Sequence, residues 1–541
     1  MPRSEPEGRI WEHKHRGRGA ATDESGRHTT ARLRLADLIS ALSQVTDLGM
    51  GQPPEDAIRS CLLATNLARQ MELHEQDVAS VYYATLLQHV GCTAYAYETA
   101  ALFGGDDIAA RAGGTKVYFG NPKEELSFLL FELGRSAKPL SRAHAVIAAI
   151  SKGKRFDEEL TRSNCEVAIH VTRRLGLGTV VQRGLDEIYE RWDGKGNPRN
   201  LSGDDIAVPA RFAQVASQAV LFSRLGGPEL ALEVTRRRAG TTLDPSIADA
   251  FLRHGSKLLA EIASADASVA VIEAEPEPRR WVPESRLDEV ARAFADLVDL
   301  KSPFMHGHST GVAGLAEAAA AKLGLSETDK VRVRRAGLLH DLGRTGVPNG
   351  IWDKPGPLTA SEWEQVRLHP YHSERILSRS SALALLAPLA GMHHERQDGS
   401  GYHRQAKATT IPTDARLLAA ADSYQAMTQE RPHRAALTPG AAEQLNLEAT
   451  RGRLDAEAVR AVLETAGHQP ARLTWPAGLS DREVQVLRLV TRGYSNREIA
   501  RVLWISPKTA GHHVQHIYAK IGVSTRAAAA MFAMEHDLIR Q

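Results

Sequence analysis

Apolar residues recur at intervals of three and four along most of this chain, as in ARLLAAADSYQAM (415–427). That period puts them on one face of a helix, whereas a half-buried strand would alternate every second residue. The expected fold class is therefore all-α. Two stretches break the pattern. Residues 263–285 are rich in Ala, Glu and Pro and read as a linker. Residues 468–478 carry Pro470, Pro476 and Gly478 before a new periodic segment, and also read as a linker. Residues 1–30 are polar without periodicity and read as a disordered tail. Three helical blocks remain: 31–262, 286–467 and 479–541.

The first two blocks repeat one another. LLQHVG (86–91) answers to LLHDLG (338–343), and ERWDGKG (190–196) to ERQDGSG (395–401). IAVPARFAQVA (206–216) and TIPTDARLLAAA (410–421) then follow in matching places. Gln88 and Glu190 are 102 residues apart where His340 and Glu395 are 55 apart, so the earlier copy carries an insertion of 47 residues, expected near 100–145. Both copies read as helical bundles.

The last block shows a different grammar. A first helix from about Asp481 to Arg492 is ended by Gly493. Ser495 with Glu498 three residues on forms a capping box for a second. Ser506-Pro507 opens a third, which Gly522 ends, and Ser524 is placed to cap a fourth. Short helix, tight turn, longer helix is a helix-turn-helix. Ile499, Leu503, Ile505, Val514, Ile517 and Ile521 are assigned to its core.

Composition narrows the class. A chain of 541 residues is too long for one core. Its 43% apolar and 24% charged residues are ordinary for globular protein. Net charge is only +2, so no global field announces a nucleic-acid partner. The last block, however, holds nine Lys and Arg against five acids, a local basic surface suited to phosphate. Three widely spaced cysteines (Cys61, Cys92, Cys165) fit a reducing cytoplasm better than a disulfide framework. No apolar run approaches the roughly 20 residues that span a bilayer. No apolar core follows the charged N-terminus either, so neither a signal peptide nor a membrane partner is expected.

The second block carries the chemistry. His308, His340-Asp341, His369, His393-His394 and Asp422 fall in one stretch of helical sequence. Imidazole and carboxylate together suit iron, manganese or zinc. Seven such groups exceed the needs of one four-coordinate ion and point to two ions sharing a bridging carboxylate. Adjacent helical residues diverge by about 100°. His340 is therefore expected to take one metal while Asp341 bridges, and His393-His394 to split between two. At the matching positions the earlier copy has Gln88, His89, Asn164, Ile188, Tyr189 and Ser217, which restore no ligand set. It reads as a scaffold, dimerisation or sensing domain.

The motifs HSTGVAGLA, LLHDLGRTGVP, VRLHPYH, HHERQDGSGY and AADSYQAM with RPHR, in this order over about 300–437, resemble the HD-GYP branch of the HD phosphohydrolases. The resemblance implies an all-helical bundle holding two or three metals, commonly iron or manganese, that hydrolyses cyclic di-GMP. It implies metal ligands at His308, His340, Asp341, His369, His393, His394 and Asp422, with His340 and Asp341 at the catalytic centre. It implies substrate contacts from Arg344, Gly401, Tyr402, Arg431 and Arg434. This chain departs from the pattern twice. His403 stands where the signature has proline, which removes the rigid turn that proline supplies. Phe304 stands where some members carry a glutamate, which argues for two ions rather than three. Hydrolysis of a cyclic dinucleotide, binding without turnover, and hydrolysis of another nucleotide all remain compatible with these residues.

Residues 479–541 resemble the LuxR/FixJ-type DNA-binding domain along their full length. That resemblance implies a third helix in the major groove, offering Ser506, Lys508, Thr509, His512, His513, His516 and Lys520 to bases and phosphates. It also implies a last helix (Thr525 to His536) that presents Ala528, Ala529 and Phe532 to a second copy, making a homodimer on a two-fold operator. The expected whole is a cytoplasmic, DNA-binding regulator with a metal site.

Overall fold

The computed structural model describes residues 32–118, 121–132, 139–437, 440–467, 475–503, 505–536 and 538–539, nearly all in helices and turns. The expected tail (1–30) and most of the second linker lie outside the described residues. No helix among the described residues is long and apolar enough to cross a membrane.

The only sheet among them pairs Arg32–Arg34 antiparallel with Trp281–Pro283, Leu33 opposite Val282. This corrects the reading of 263–285 as a linker. Ala267–Ala274 is a helix with Val271 fully buried. Glu275 follows it and accepts from Arg34 Nε (2.7 Å) and the Tyr83 hydroxyl (2.5 Å). An Ala/Glu/Pro composition does not reveal that one glutamate meets a buried partner and one valine a core.

The two bundles are not independent. The helix Leu35–Gly49 is buried at nearly every position, and a helix buried all round must lie between layers. Its polar residues turn back on its own carbonyls: Ser40 on Asp37, Ser43 on Ser40 and Thr46 on Ser43, at 2.8–2.9 Å. One continuous apolar core runs from Leu38 and Leu63 of the first block through Leu297, Leu338 and Ile376 of the second. A second core, around Val312, Leu418 and Val462, belongs to the later bundle alone.

The repeat is exact in hydrogen bonding. Asp47 accepts from the backbone of Ala57 (3.1 Å) as Asp299 does from Ser309 (2.9 Å). Glu190 accepts from the backbones of Arg199 and Leu201, as Glu395 does from Arg404 and Ala406 (2.7–2.9 Å). A Cβ on Gly91 would stand 1.8 Å from the Asn164 carbonyl oxygen, and one on Gly343 would stand 2.1 Å from that of His369. Asn164 therefore occupies the place of His369, and by the same register Asp56 stands where His308 does. The insertion lies between Gln88 and Asn164 and builds the helices Ala96–Leu102, Asp107–Gly114 and Pro122–Ser127 and much of Pro139–Arg174.

The last block forms the helices Asp481–Thr491, Asn496–Leu503, Pro507–Ile521 and Arg526–Glu535. Ile499, Val514 and Ile517 are buried, and Leu503, Ile505 and Ile521 pack against them. Ser495 and Glu498 make the expected reciprocal bonds, and Gly522 closes the third helix at φ 70°. The fourth cap is one residue later than expected: Thr525 accepts from Ala528 N at 3.2 Å, while Ser524 donates to Glu166 of the first block.

The last helix does not present its small face to solvent. Ala527, Ala530, Met531 and Met534, at helical spacing, join the core shared by the bundles, while Ala529 and Ala533 enter the helix-turn-helix core. Ala528 is buried as well, and Phe532 is partly buried. Around this face Glu535 pairs with His170 (2.9 Å), and Thr525 donates to Glu166 (2.8 Å). Arg174, also beside Glu535, bonds Asp296 of the second block at 2.6 Å.

Candidate metal centre

The seven residues expected as ligands converge from five places in the later bundle. His308 opens the helix His308–Lys322, and Asp422 sits within Thr413–Thr428. His340 and Asp341 stand where Glu327–Leu339 ends and a 3-10 turn begins, and His369 opens His369–Ser378. His393 and His394 lie in the turn after Ala387–Ala390. Helix ends free the backbone, so the 100° divergence inside a helix does not keep His340 and Asp341 apart.

Asp341 is the centre of the arrangement. Its Oδ1 lies 3.3 Å from His369 Nε2 and 3.5 Å from His393 Nε2. Its Oδ2 lies 3.6 Å from His340 Nε2 and 3.8 Å from His308 Nε2. Each oxygen thus faces its own pair of imidazoles. Asp422 adds a second carboxylate, 3.1 Å from His308 Nε2 and 3.7 Å from His394 Nδ1. His393 and His394 do not divide cleanly as expected: both fall in one set with His369, and His393 also groups with His340 and Asp341.

The donor chemistry fits a cation. His340, His369 and His393 direct Nδ1 at the carbonyls of Gly337, Val366 and Ala390 (2.6–2.7 Å). A carbonyl only accepts, so each Nδ1 carries a proton and each ring turns its Nε2 inward, the atom left to ligate. His340 Nε2 and Asp341 Oδ1 are buried without a hydrogen-bond partner. Buried polar atoms are rarely left so. Burial holds His308, His340 and His394 below the usual imidazole range, keeping them in the form that ligates. Burial alone would raise Asp422, but its hydrogen bond with His308 and the surrounding imidazoles hold it well below the carboxylate range. For Asp341 the push of burial is likewise overcome, by His340 and Arg344 first and by the neighbouring His369 and His393 rings.

The expected substrate residues divide. Arg344 lies 3.4 Å from Asp341 Oδ2 and stacks 3.7 Å over the Trp352 ring, a partner the sequence did not flag. Arg431 reaches the Phe304 carbonyl (3.1 Å) and Gln429 Oε1 (3.2 Å), and burial lowers it to about 10. Arg434 is placed elsewhere. It donates to the carbonyls of Ala426, Met427 and Gln429, closing the helix that bears Asp422. Tyr402 lays its ring 4.7 Å from that of His394, and Gly401 sits too close to the Glu395 backbone for any side chain. The turn at His403 is held without proline. Glu395 ties it by the same two backbone bonds with which Glu190 ties its proline-bearing counterpart.

Sequence reasoning passed over Gln429, which meets His308 Nδ1 at 2.9 Å, and Asp299, which anchors Ser309 beside it. The role of Glu395 is signalled in the sequence only by the repeat of ERxDG in both copies. In the earlier copy, Tyr189 binds Asn164 (3.0 Å) and Cys92 (3.1 Å), and His89 pairs with Asp47 (3.1 Å). Hydrogen bonds fill that space in place of a ligand set.

On the third helix of the last block, Lys508, Thr509, His512 and His516 are exposed and His513 partly so. Ser506 is taken up as the cap, accepting from Thr509 N at 3.1 Å. Lys520 is held by Glu483 (2.7 Å) and the Gly478 carbonyl (3.0 Å).

Residues 292–458 match the HD domain family and residues 477–533 the luxR family of bacterial regulatory proteins. The 3'3'-cGAMP-specific phosphodiesterase 3 of Vibrio cholerae is 31% identical over 406 residues, covering 74% of this chain and 88% of that protein. A cyclic di-GMP phosphodiesterase of Thermotoga maritima is 39% identical over 28% of this chain and 42% of its own length. A cyclic di-GMP phosphodiesterase response regulator of Xanthomonas campestris is 40% identical over 33% and 46%. The chain thus spans under half the length of these last two. A crystal structure of a cyclic GMP-AMP specific phosphodiesterase from V. cholerae aligns with a TM-score of 0.57 at 27% identity, covering 81% of this chain and 99% of that one.

Proposed function

This chain belongs to the HD-GYP cyclic-dinucleotide phosphodiesterases and ends in a LuxR-type DNA-binding domain, and on that premise we propose that it opens a 3',3'-linked cyclic dinucleotide by metal-dependent hydrolysis. The observation that carries the reading is Asp341 between two pairs of inward-facing Nε2 atoms. In the reaction a water oxygen joins phosphorus, one ester P–O bond breaks, and the ring opens to a linear dinucleotide. Two divalent ions, iron or manganese, suit this donor set; bound there they supply Lewis acidity and a water acidified towards neutrality.

The remaining work falls to side chains. His340, His369 and His393 are locked by their carbonyls, so the site needs little rearrangement to ligate. Arg344, flattened on Trp352, offers its fork to a phosphate. Arg431 adds a buried positive charge near enough to interact with Arg344, Asp422 and Asp341. Tyr402 offers a ring face beside His394 on which a base can stack.

The C-terminal block is the DNA-binding output. Lys508, Thr509, His512 and His516 form its exposed reading face. Gly493, which ends its first helix, packs beside Pro303, five residues before His308. That proximity supports a regulator in which the site's state reaches the DNA-binding domain.

Incubating the manganese- or iron-loaded protein with cyclic di-GMP and with 3'3'-cGAMP separates the readings. Linear product that a chelator abolishes supports hydrolysis. Saturable binding of either nucleotide with no product makes the chain a sensor instead.

A further inference from the structure

The first copy reaches into the second copy's site. Asp107, in the insertion, is fully buried and accepts from the backbone of Asn349 at 2.7 Å. Its other oxygen pairs with Arg111 and lies 3.6 Å from the buried Lys301. Lys301 in turn donates to the Val347 carbonyl, and the Asn349 amide donates to the Lys301 carbonyl. Two neighbouring contacts follow the same path: Gly350 N donates to the Gly105 carbonyl (2.8 Å), and Thr345 Oγ1 to that of Val45 (3.0 Å). The bonds to Asn349, Val347, Gly350 and Thr345 all end on the segment 345–350, which lies between Arg344 and Trp352.

That segment carries the phosphate-facing pair. Trp352 Nε1 donates to the Arg344 carbonyl at 3.3 Å, the guanidinium lies over the indole, and the indole edge meets the His369 ring at 5.4 Å. Lys301, Met305, Arg344, Asn349 and Trp352 line one small cavity. Asp107 is the charged group that anchors this segment from outside its own bundle.

We propose that Asp107 is a positioning residue for the phosphodiesterase site, supplied by the copy that lacks its own ligands, and that it acts by fixing Asn349 and so the Arg344–Trp352 pair beside Asp341. This rests on the hydrolytic reading above. It gives the first copy a concrete part in catalysis: one wall of a neighbour's site.

The test is a double-mutant cycle on the metal-loaded full chain, with KM and kcat measured for the cyclic dinucleotide it turns over. Asp107→Ala should weaken kcat/KM, chiefly through KM, by up to about 100-fold, the effect of a clamp misplaced by about 1 Å, with metal content unchanged. In an Arg344→Ala background the same change should add less than about twofold, because both act through one group. Asp107→Asn keeps the acceptor for Asn349 and the fold, removes the charge facing Lys301, and should fall between. Effects of Asp107 and Arg344 that multiply, or an Asp107→Ala protein with wild-type KM, overturn the proposal. A wild-type chain that turns over no cyclic dinucleotide instead sinks the hydrolytic reading, and the positioning role with it.

Discussion

His369 Nε2 lies 3.0 Å from His393 Nε2, and both rings commit their Nδ1 protons to backbone carbonyls. Two lone pairs at that separation repel unless a cation or a proton lies between them. Manganese or iron at 100 to 1,000 times its dissociation constant should therefore stabilise the protein by about 3–4 kcal/mol. Thermal melts with and without chelator measure this. His369→Gln should remove most of the difference, and a melt indifferent to metal would count against the site.

Glu395, rather than the residue at 403, holds the turn that carries Tyr402. Glu395→Ala strands the backbone donors of Arg404 and Ala406 and should cost about 2–4 kcal/mol in urea unfolding. His403→Pro should leave turnover within about threefold, since the first copy keeps proline at that place with the same glutamate bonds. A large gain on restoring proline would show that His403 had impaired the site.

Asp56 stands where the metal-binding copy has His308. Burial pushes its carboxyl up to about 6, with Asp47 adding repulsion and Arg224 opposing both. A carboxyl with a raised folded value stabilises fully below its unfolded value, and that contribution is lost as pH rises through about 4 to 6. Asp56→Asn should therefore stabilise the protein at pH 7 by about 1–3 kcal/mol and change little near pH 4. Paired unfolding curves at the two pH values decide it; equal effects at both would refute the linkage.

Met531 anchors the last helix in the core shared by the two bundles. Met531→Glu buries an unpaired charge there, and detaching the helix-turn-helix is the cheaper response. X-ray scattering should then show a larger radius of gyration with the helical circular dichroism kept. Unchanged scattering would mean that the docked arrangement does not depend on this face.

The histidine–carboxylate cluster was legible because its residue types are scarce in ordinary cores and their order is dense with meaning. The helix-turn-helix was legible from caps such as Ser495 and Ser506, whose chemistry is local. Features that depend on distant partners were not. Nothing local distinguishes Arg434 on a helix end from an arginine aimed at phosphate. Glu275 reads as linker until Arg34 and Tyr83 close on it, and nothing in the sequence around Asp107 points to Asn349. The small face of Arg526–Glu535 suits a second copy or this chain's own bundles equally well, and only the packing decides.

The most direct test of the account is the metal content and turnover of Asp341→Ala beside wild type. The wild-type protein should retain divalent metal through dialysis and convert a cyclic dinucleotide to linear product. The variant should lose both, because each Asp341 oxygen serves a different pair of imidazoles. A variant that keeps its metal and still forms linear product would contradict the account.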